Sequence, residues 1–212
     1  MSKSVYSLVL GDEVVAGIDR IAYERGMSRS ALINEIMAEY AQCEIPEKRF
    51  SDIFGEMSKL IASSDYLRFF DRPSQNVATV KSMLVYRYNP TIKYSVELFP
   101  EGKYFGELKI SMRTQNAQLI SFMQEFFRYL NKLESVYLHR EVKTVTSGGK
   151  FVRKLHYPEG ASSAENLAQA AAEYIKFLDR LINVYFSKLG DENLNKIIEE
   201  EYLKGYKNTN KI

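Results

Sequence analysis

A short strand-like stretch stands by itself at the start of this sequence. Residues 5–10 read VYSLVL and alternate in two sets, Tyr6, Leu8 and Leu10 against Val5, Ser7 and Val9. Successive side chains of a strand point to opposite faces of a sheet. Because even two strands alone are marginally stable in water, this stretch predicts a strand that needs both a partner and a surface to cover one of its faces.

Two short amphipathic helices are predicted directly after the strand. Asp12 and Glu13 put negative charge in the first turn, where it suits the positive end of the helix dipole. Gly26 is placed to end this helix, and Ser28 is a natural N-cap for the next one. The second helix ends before Pro46, which cannot continue it. The predicted order is therefore strand, helix, turn, helix.

The stretch LGDEVVAGIDRIAYERGMSRSALINEIMAEYA resembles the ribbon-helix-helix DNA-binding domain of the Arc, MetJ and CopG superfamily. That family has a Leu-Pro-Asp-Glu-like turn, an Ile-Asp-Arg-Ile-Ala helix and a Gly-x-Ser-Arg-Ser turn. The matching positions are Leu10, Asp12, Glu13, Ile18, Asp19, Arg20, Ile21, Ala22, Gly26, Ser28, Arg29 and Ser30. Gly11 departs from the pattern, because the family often has Pro there. We assign the resemblance to residues 3–45.

The resemblance implies an intertwined dimer that carries a two-stranded antiparallel ribbon, one strand from each subunit. The implied dimer core consists of Tyr6, Leu8, Leu10, Ile18, Ile21, Leu32 and Ile36. The ribbon is expected to enter the major groove, where base edges can be distinguished. Val5, Ser7 and Val9 would then face the bases. Since valine can contact only a thymine methyl, we expect weak or A·T-biased readout, or help from elsewhere in the chain.

Phosphate contacts are expected at the start of the second helix, where unpaired N–H groups and the dipole favour an anion. Ser28, Arg29 and Ser30 lie there, and Lys3 and Ser4 precede the strand. However, residues 1–45 carry four basic against seven acidic side chains, a net charge of −3. DNA affinity depends on neutralised phosphates. A second interpretation therefore stands, in which this segment only dimerises the chain or binds a protein, Ser28 only caps a helix, and Arg29 is a surface residue.

Residues 46–212 predict an α+β domain that carries the remaining charge of +5, since the whole chain is +2. Three alternating stretches separated by short turns predict an antiparallel meander with one buried face, at residues 79–88, 92–98 and 104–113. Helical periodicity predicts helices at 47–63, 115–135, 162–188 and 191–204. The predicted domains are thus 1–45 for dimerisation and DNA binding, and 46–212 for an effector or assembly role.

A second candidate DNA contact lies at residues 139–156, where Ser147-Gly148-Gly149 predicts the tip of a hairpin. Its basic residues are Arg140, Lys143, Lys150, Arg153 and Lys154, against Glu141 alone. Such a hairpin would make a positive finger along a phosphate backbone. In the alternative interpretation it is a solvated hairpin whose charges protect an exposed edge strand.

Histidine and cysteine are sparse, and none of the plentiful carboxylates forms a pair that its spacing marks as catalytic. Cys43 is the single cysteine, and His139 and His156 are the only histidines, fewer than the nickel-responsive members of the superfamily use. No Walker, GxGxxG, HExxH or GxSxG motif is present. We predict no metal, no cofactor and no enzymatic activity. The 15 tyrosines and 12 phenylalanines are expected mostly in the core, although some could line a ligand cavity.

The sequence lacks a stretch of ~20 apolar residues and a signal-peptide pattern, which predicts a cytoplasmic protein without a membrane partner. The leading functional prediction is a homodimeric or higher-order, sequence-specific double-stranded-DNA-binding protein that acts as a transcriptional repressor. One alternative is a plasmid or phage DNA partition or maintenance protein. Another is an interaction protein that uses the ribbon-helix-helix only to dimerise. Residues 46–212 are expected to bind a small ligand or a protein partner, or to drive assembly.

Overall fold

The protein is described by a computed structural model at residues 5–43, 45–70, 73–138, 144–147, 150–160, 163–206 and 212. The helices are α1 (Asp12–Arg25), α2 (Arg29–Tyr40), α3 (Pro46–Ala62), α4 (Ala117–Tyr137), α5 (Ala164–Ser187) and α6 (Leu194–Tyr206). The strands are β1 (Arg68–Phe69), β2 (Val77–Met83), β3 (Thr91–Leu98), β4 (Tyr104–Arg113), β5 (Thr144–Ser147) and β6 (Lys150–His156). The prediction of a mixed α+β fold is confirmed. The chain divides into two compact units, a first unit of Met1–Lys48 and a second unit of Arg49–Ile212.

The first unit is built around the turn that joins α1 to α2. Gly26 has a φ of 64°, in the left-handed region that glycine adopts without steric cost. The N–H of Met27 donates to the carbonyl of Ala22 at 3.0 Å, which closes the end of α1. Ser28 then caps α2, because its Oγ accepts from the N–H of Ala31 at 3.2 Å. Residues 5–10 have no hydrogen-bonded secondary structure within the single chain.

The second unit contains a six-stranded antiparallel sheet with strand order β1-β2-β3-β4-β6-β5. One face of the sheet packs against helices. Phe127 of α4 stacks on Phe151 of β6 with 4.6 Å between ring centroids, and Tyr94 of β3 donates to Asp179 of α5 at 2.8 Å. The other face, here called the outer face, carries mainly polar side chains, among them Arg68, Thr79, Lys81, Lys93, Ser95, Glu97, Glu107, Lys109, Ser111, Arg113, Lys150 and Lys154.

Two predicted elements end or begin elsewhere for local reasons. The strand predicted over 79–88 stops at Met83, because Tyr88 and Asn89 take left-handed φ values of 65° and 42° in the turn before β3. The helix predicted from 191 begins at Leu194, because the Asp191 carboxylate accepts from the N–H of Asn193 at 2.8 Å in a preceding turn. No helix in the described parts of the chain is long and apolar enough to cross a lipid bilayer.

Candidate nucleic-acid interface

The buried apolar cluster of the first unit is small. Ile18, Ala22 and Leu32 are its buried members, and partly buried Ile21, Met27 and Ile33 pack against them. A segment of this size ordinarily needs a disulfide, a metal or a partner chain to reach a stable fold. Of the residues that we predicted for a dimer core, Ile18 and Leu32 are thus buried within one chain, and Ile21 is half-buried.

The remaining predicted dimer-core residues are exposed in the single chain. Leu8 is 58% exposed and Ile36 is 44% exposed, while Tyr6 and Leu10 also reach solvent. Met37, on α2 beside Ile36, is 54% exposed. Fully burying one such apolar side chain contributes about 1.5–3 kcal/mol. The first unit therefore presents an apolar surface that a partner of matching shape would cover.

The residues predicted to contact bases lie on the surface. Val5 and Val9 are essentially fully exposed, more so than their neighbours Leu8 and Leu10. Ser7 is exposed as well. Lys3 and Ser4, predicted to contact phosphates, lie outside the described residues. Val5, Ser7 and Val9 are therefore accessible to a large ligand, as are the other side chains of residues 5–10.

At the start of α2, the guanidinium of Arg29 is held by a carboxylate of α1. Its Nε and Nη2 donate to the two carboxylate oxygens of Asp19, each at 2.5 Å. These hydrogen bonds raise the pKa of Arg29 above its ordinary value. Arg25 and Glu35 form a second ion pair between the same helices at 3.3 Å. Arg29 thus joins α1 to α2 in the single chain, and a phosphate would have to compete with Asp19 for it.

Ser28 and Ser30 complete the predicted phosphate site. Ser28 is occupied as the N-cap of α2, whereas Ser30 is exposed in the first helical turn. Backbone N–H groups in a first turn lack helical carbonyl partners and point outward along the axis. The start of α2 therefore combines these donors with the Arg29 guanidinium.

The prediction that Arg153 contacts DNA is wrong. Its side chain is completely buried, and its Nε donates to Glu134 at 3.0 Å. Its Nη2 donates to the carbonyl of Ile212 at 2.5 Å, and the guanidinium lies 4.5 Å from the ring centroid of Tyr174. Because alternate side chains of a strand share a face, Arg153 points into the core together with Phe151.

The described basic residues of the stretch 139–156 lie on both faces of the sheet, with Arg153 in the core and Lys150 and Lys154 on the outer face. Lys150 is exposed on the outer face, while Lys154 is half-buried there and pairs with Glu107 at 2.5 Å. Arg140 and Lys143 lie outside the described residues. β6 itself is an interior strand, bonded to β4 on one side and β5 on the other. The hairpin is therefore part of the sheet, and its described cations are divided between the core and the outer face.

Strand register assembles a set of cations that sequence reasoning missed. Residues on neighbouring strands stand directly opposite one another across the outer face, in the order Arg68, Lys81, Lys93, Ser111 and Lys150. We call these five residues the cationic row. They come from five different strands, so no local motif could have shown them together. Their pairing partners become known only with the register of the sheet.

A buried carboxylate on α5 is occupied by structural hydrogen bonds. Asp179 accepts from the hydroxyls of Ser82 and Tyr94, and Asn183 donates to its backbone carbonyl at 2.8 Å. Burial raises the pKa of Asp179 and that of Tyr94. The carboxylate lies between α5 and the sheet and is buried from solvent, so its hydrogen bonds link α5 to β2 and β3.

The described residues form a pocket that is small for a ligand site, and they do not form a metal site. A pocket of about 130 Å³ is lined by Tyr86, Arg87, Tyr88, Asn116, Gln118, Leu119 and Phe122. Small-molecule sites usually enclose about 300–1,000 Å³. No group of three or more His, Cys, Asp or Glu side chains within these residues could hold a metal ion. His156 packs edge-on against Tyr104, Cys43 is exposed, and His139 lies outside the described residues.

No protein-family model, curated protein or solved structure matches this chain. The functional interpretation therefore depends on its own residues and their arrangement.

Proposed function

We propose that this chain is a dimeric, site-specific DNA-binding protein that is not an enzyme and whose first unit is a ribbon-helix-helix domain. The observation that carries this proposal is the mismatch between the core and the surface of that unit. Its described residues bury three apolar side chains and leave Leu8, Ile36 and Met37 substantially exposed. In a dimer, two copies of residues 5–10 would pair as antiparallel strands, and their inward side chains would cover the exposed face of α2.

The ribbon of such a dimer would lie in the major groove with Val5, Ser7 and Val9 toward the bases. Valine methyls suit the thymine methyl, and the Ser7 hydroxyl can donate or accept a hydrogen bond. The resulting readout would be weak or A·T-biased. A repressor is the role that best suits a small reader joined to a large folded second unit. Plasmid or phage DNA maintenance is the rival role within the same class.

The competing proposal is an interaction protein that uses its first unit only to dimerise. Two observations favour it. Residues 1–45 carry a net charge of −3, and Asp19 already neutralises Arg29. The salt dependence of DNA binding separates the two proposals, because log K falls with log[salt] by about 0.9 for each neutralised phosphate. A slope of several units together with preference for particular genomic fragments supports the site-specific DNA-binding protein, and a flat titration supports the interaction protein.

Asp19→Asn is expected to tighten DNA binding, because it frees Arg29 for a phosphate. The salt slope should steepen by about 0.9 per newly neutralised phosphate, measured on a fixed duplex by fluorescence anisotropy. The matched control is Glu24→Gln, which removes one negative charge from exposed α1 surface without releasing Arg29. Arg29→Ala should weaken binding while the dimer persists. Equal effects of Asp19→Asn and Glu24→Gln would exclude Arg29 from the interface.

A further inference from the structure

The outer face of the sheet carries like charges placed directly opposite one another. Arg68 of β1 pairs in register with Lys81 of β2, and Lys81 pairs with Lys93 of β3. Ser111 of β4 comes next, followed by Lys150 of β6. The cationic row therefore spans five adjacent strands with four positive charges and one neutral hydroxyl.

The carboxylates of the same face are engaged elsewhere. Lys109 pairs with Glu97 at 2.8 Å and with Glu107 at 2.7 Å. Glu107 also accepts from Lys154 at 2.5 Å. These four residues form a neutral group beside the cationic row. The acidic side chains nearest in register to the row are thus already used by other lysines.

The cations of the row have no carboxylate partner within the described residues. The Lys81 ammonium lies over the ring of Phe70, and Arg68 donates to the backbone carbonyls of Ser64 and Leu67. Lys93 and Lys150 are exposed. Because directly opposed like charges destabilise an antiparallel pair, the row costs the sheet stability that a bound polyanion would restore.

The dimensions of the row suit a nucleic-acid backbone. Adjacent strands lie ~4.8 Å apart, so four steps from Arg68 to Lys150 span roughly 19 Å. Phosphates advance ~3.4 Å along the axis for each nucleotide of one strand of B-DNA. The length of the row therefore matches the axial rise of about five or six nucleotides of duplex DNA. Its members supply point charges and hydrogen-bond donors rather than aromatic faces, which suits contact with phosphates and not with bases.

We propose that the outer face of the second unit binds the phosphate backbone of double-stranded DNA without reading its sequence. The charge balance of the chain agrees with this, because residues 46–212 carry +5 while residues 1–45 carry −3. The row lies entirely in the second unit, so this inference goes beyond the function proposed for the first unit. It also supplies the positive charge that the first unit lacks as a DNA binder.

The test uses the full chain and a random-sequence duplex, titrated over a range of salt concentrations. Lys81→Thr/Lys93→Thr removes the central charges of the row, and threonine suits a strand. The salt slope should fall by about 1.8, which corresponds to two phosphate contacts. The control is Lys188→Thr/Lys196→Thr, which removes two exposed lysines, one from the C-cap of α5 and one from α6. This control should keep the parent slope, and Lys81→Thr/Lys93→Thr should keep the parent melting temperature or exceed it.

An unchanged slope in Lys81→Thr/Lys93→Thr would overturn the inference. Equal reductions in both double variants would also overturn it, because net charge and not the row would then explain the effect. Competition with genomic fragments separates this inference from the proposed function. If the slope falls as expected but no fragment is preferred, the row binds DNA and the site-specific reader is wrong. If a fragment is preferred and the slope is unchanged, the proposal of a site-specific DNA-binding first unit is supported and the inference about the cationic row is overturned.

Discussion

Leu8→Lys is expected to abolish the dimer and, with it, site-specific DNA binding. In the proposed ribbon, Leu8 of each copy is covered by the helices of the dimer, and an unpaired ammonium there would be desolvated without compensation. The loss of two buried leucines alone amounts to about 3–6 kcal/mol per dimer. The dimer dissociation constant should therefore rise by at least about two orders of magnitude, as measured by light scattering across a concentration series.

Val9→Lys is the matched control for this substitution. It introduces the same charge one residue later, at a position that is fully exposed in the single chain and faces outward in the proposed ribbon. The dimer should persist, and affinity for DNA should be maintained or increased. Because a shift of one residue exchanges the two faces of a strand, a dimer that survives Leu8→Lys and is lost in Val9→Lys would contradict the proposed register.

Glu134→Ala is expected to lower the free energy of unfolding of the second unit by about 3–5 kcal/mol, because it leaves Arg153 buried without its counter-charge. Glu134 and Arg153 are both almost completely buried, with 3.0 Å between Oε2 and Nε. Tyr174 donates to the other carboxylate oxygen at 2.6 Å, so the substitution also leaves this hydroxyl without its acceptor. Urea denaturation followed by far-UV circular dichroism measures the loss.

The control for this prediction replaces the whole polar group. Glu134→Leu/Arg153→Met/Tyr174→Phe removes both side-chain charges and the hydroxyl together, and the Ile212 oxygen loses its Arg153 donor. Replacement of a buried ion pair by apolar residues is often neutral or stabilising, and most of the lost stability should return. If Glu134→Ala costs less than about 1 kcal/mol, a value typical of a solvated surface pair, the pair does not hold α4 to β6 as described.

The turn of the first unit was predictable because it depends on local chemistry. Gly26 and Ser28 determine where α1 ends and α2 begins, and both signals act within a few residues of where they stand. The Asp19–Arg29 pair was not predicted, although both residues belong to the pattern that we recognised. Its formation requires the two helices to pack, and the angle of that packing is not a local property of the sequence.

The burial of Arg153 follows from the alternation of the strand, whereas the charges of its neighbours indicated a surface position. In the stretch KFVRKLH, Phe151, Arg153 and Leu155 occupy alternate positions, so the arginine stands on the apolar side of the strand. Glu134 likewise lies on the buried, apolar face of α4. Opposite charges at two core-facing positions could have predicted a buried pair. We placed Arg153 on the surface because its neighbours Lys150 and Lys154 are basic.

The cationic row was beyond local sequence reasoning for a different reason. The alternation in β2, β3 and β4 indicated which residues share a face, but not which of them stand opposite one another. Lys81 and Lys93 become neighbours through the register of one hairpin. Lys150 joins them only because β6 pairs with β4, although α4 and β5 separate these two strands in the sequence. Register and strand order are properties of the whole sheet.

The most direct test of the central claim is selection of genomic DNA fragments by the full-length protein at two salt concentrations, with the mass of the complex measured by light scattering. The account predicts a small set of enriched fragments with a shared site, bound by an even number of chains, with affinity that falls steeply as salt rises. A protein that is dimeric but retains no fragment at either salt concentration would contradict it, and would identify the first unit as a dimerisation module alone.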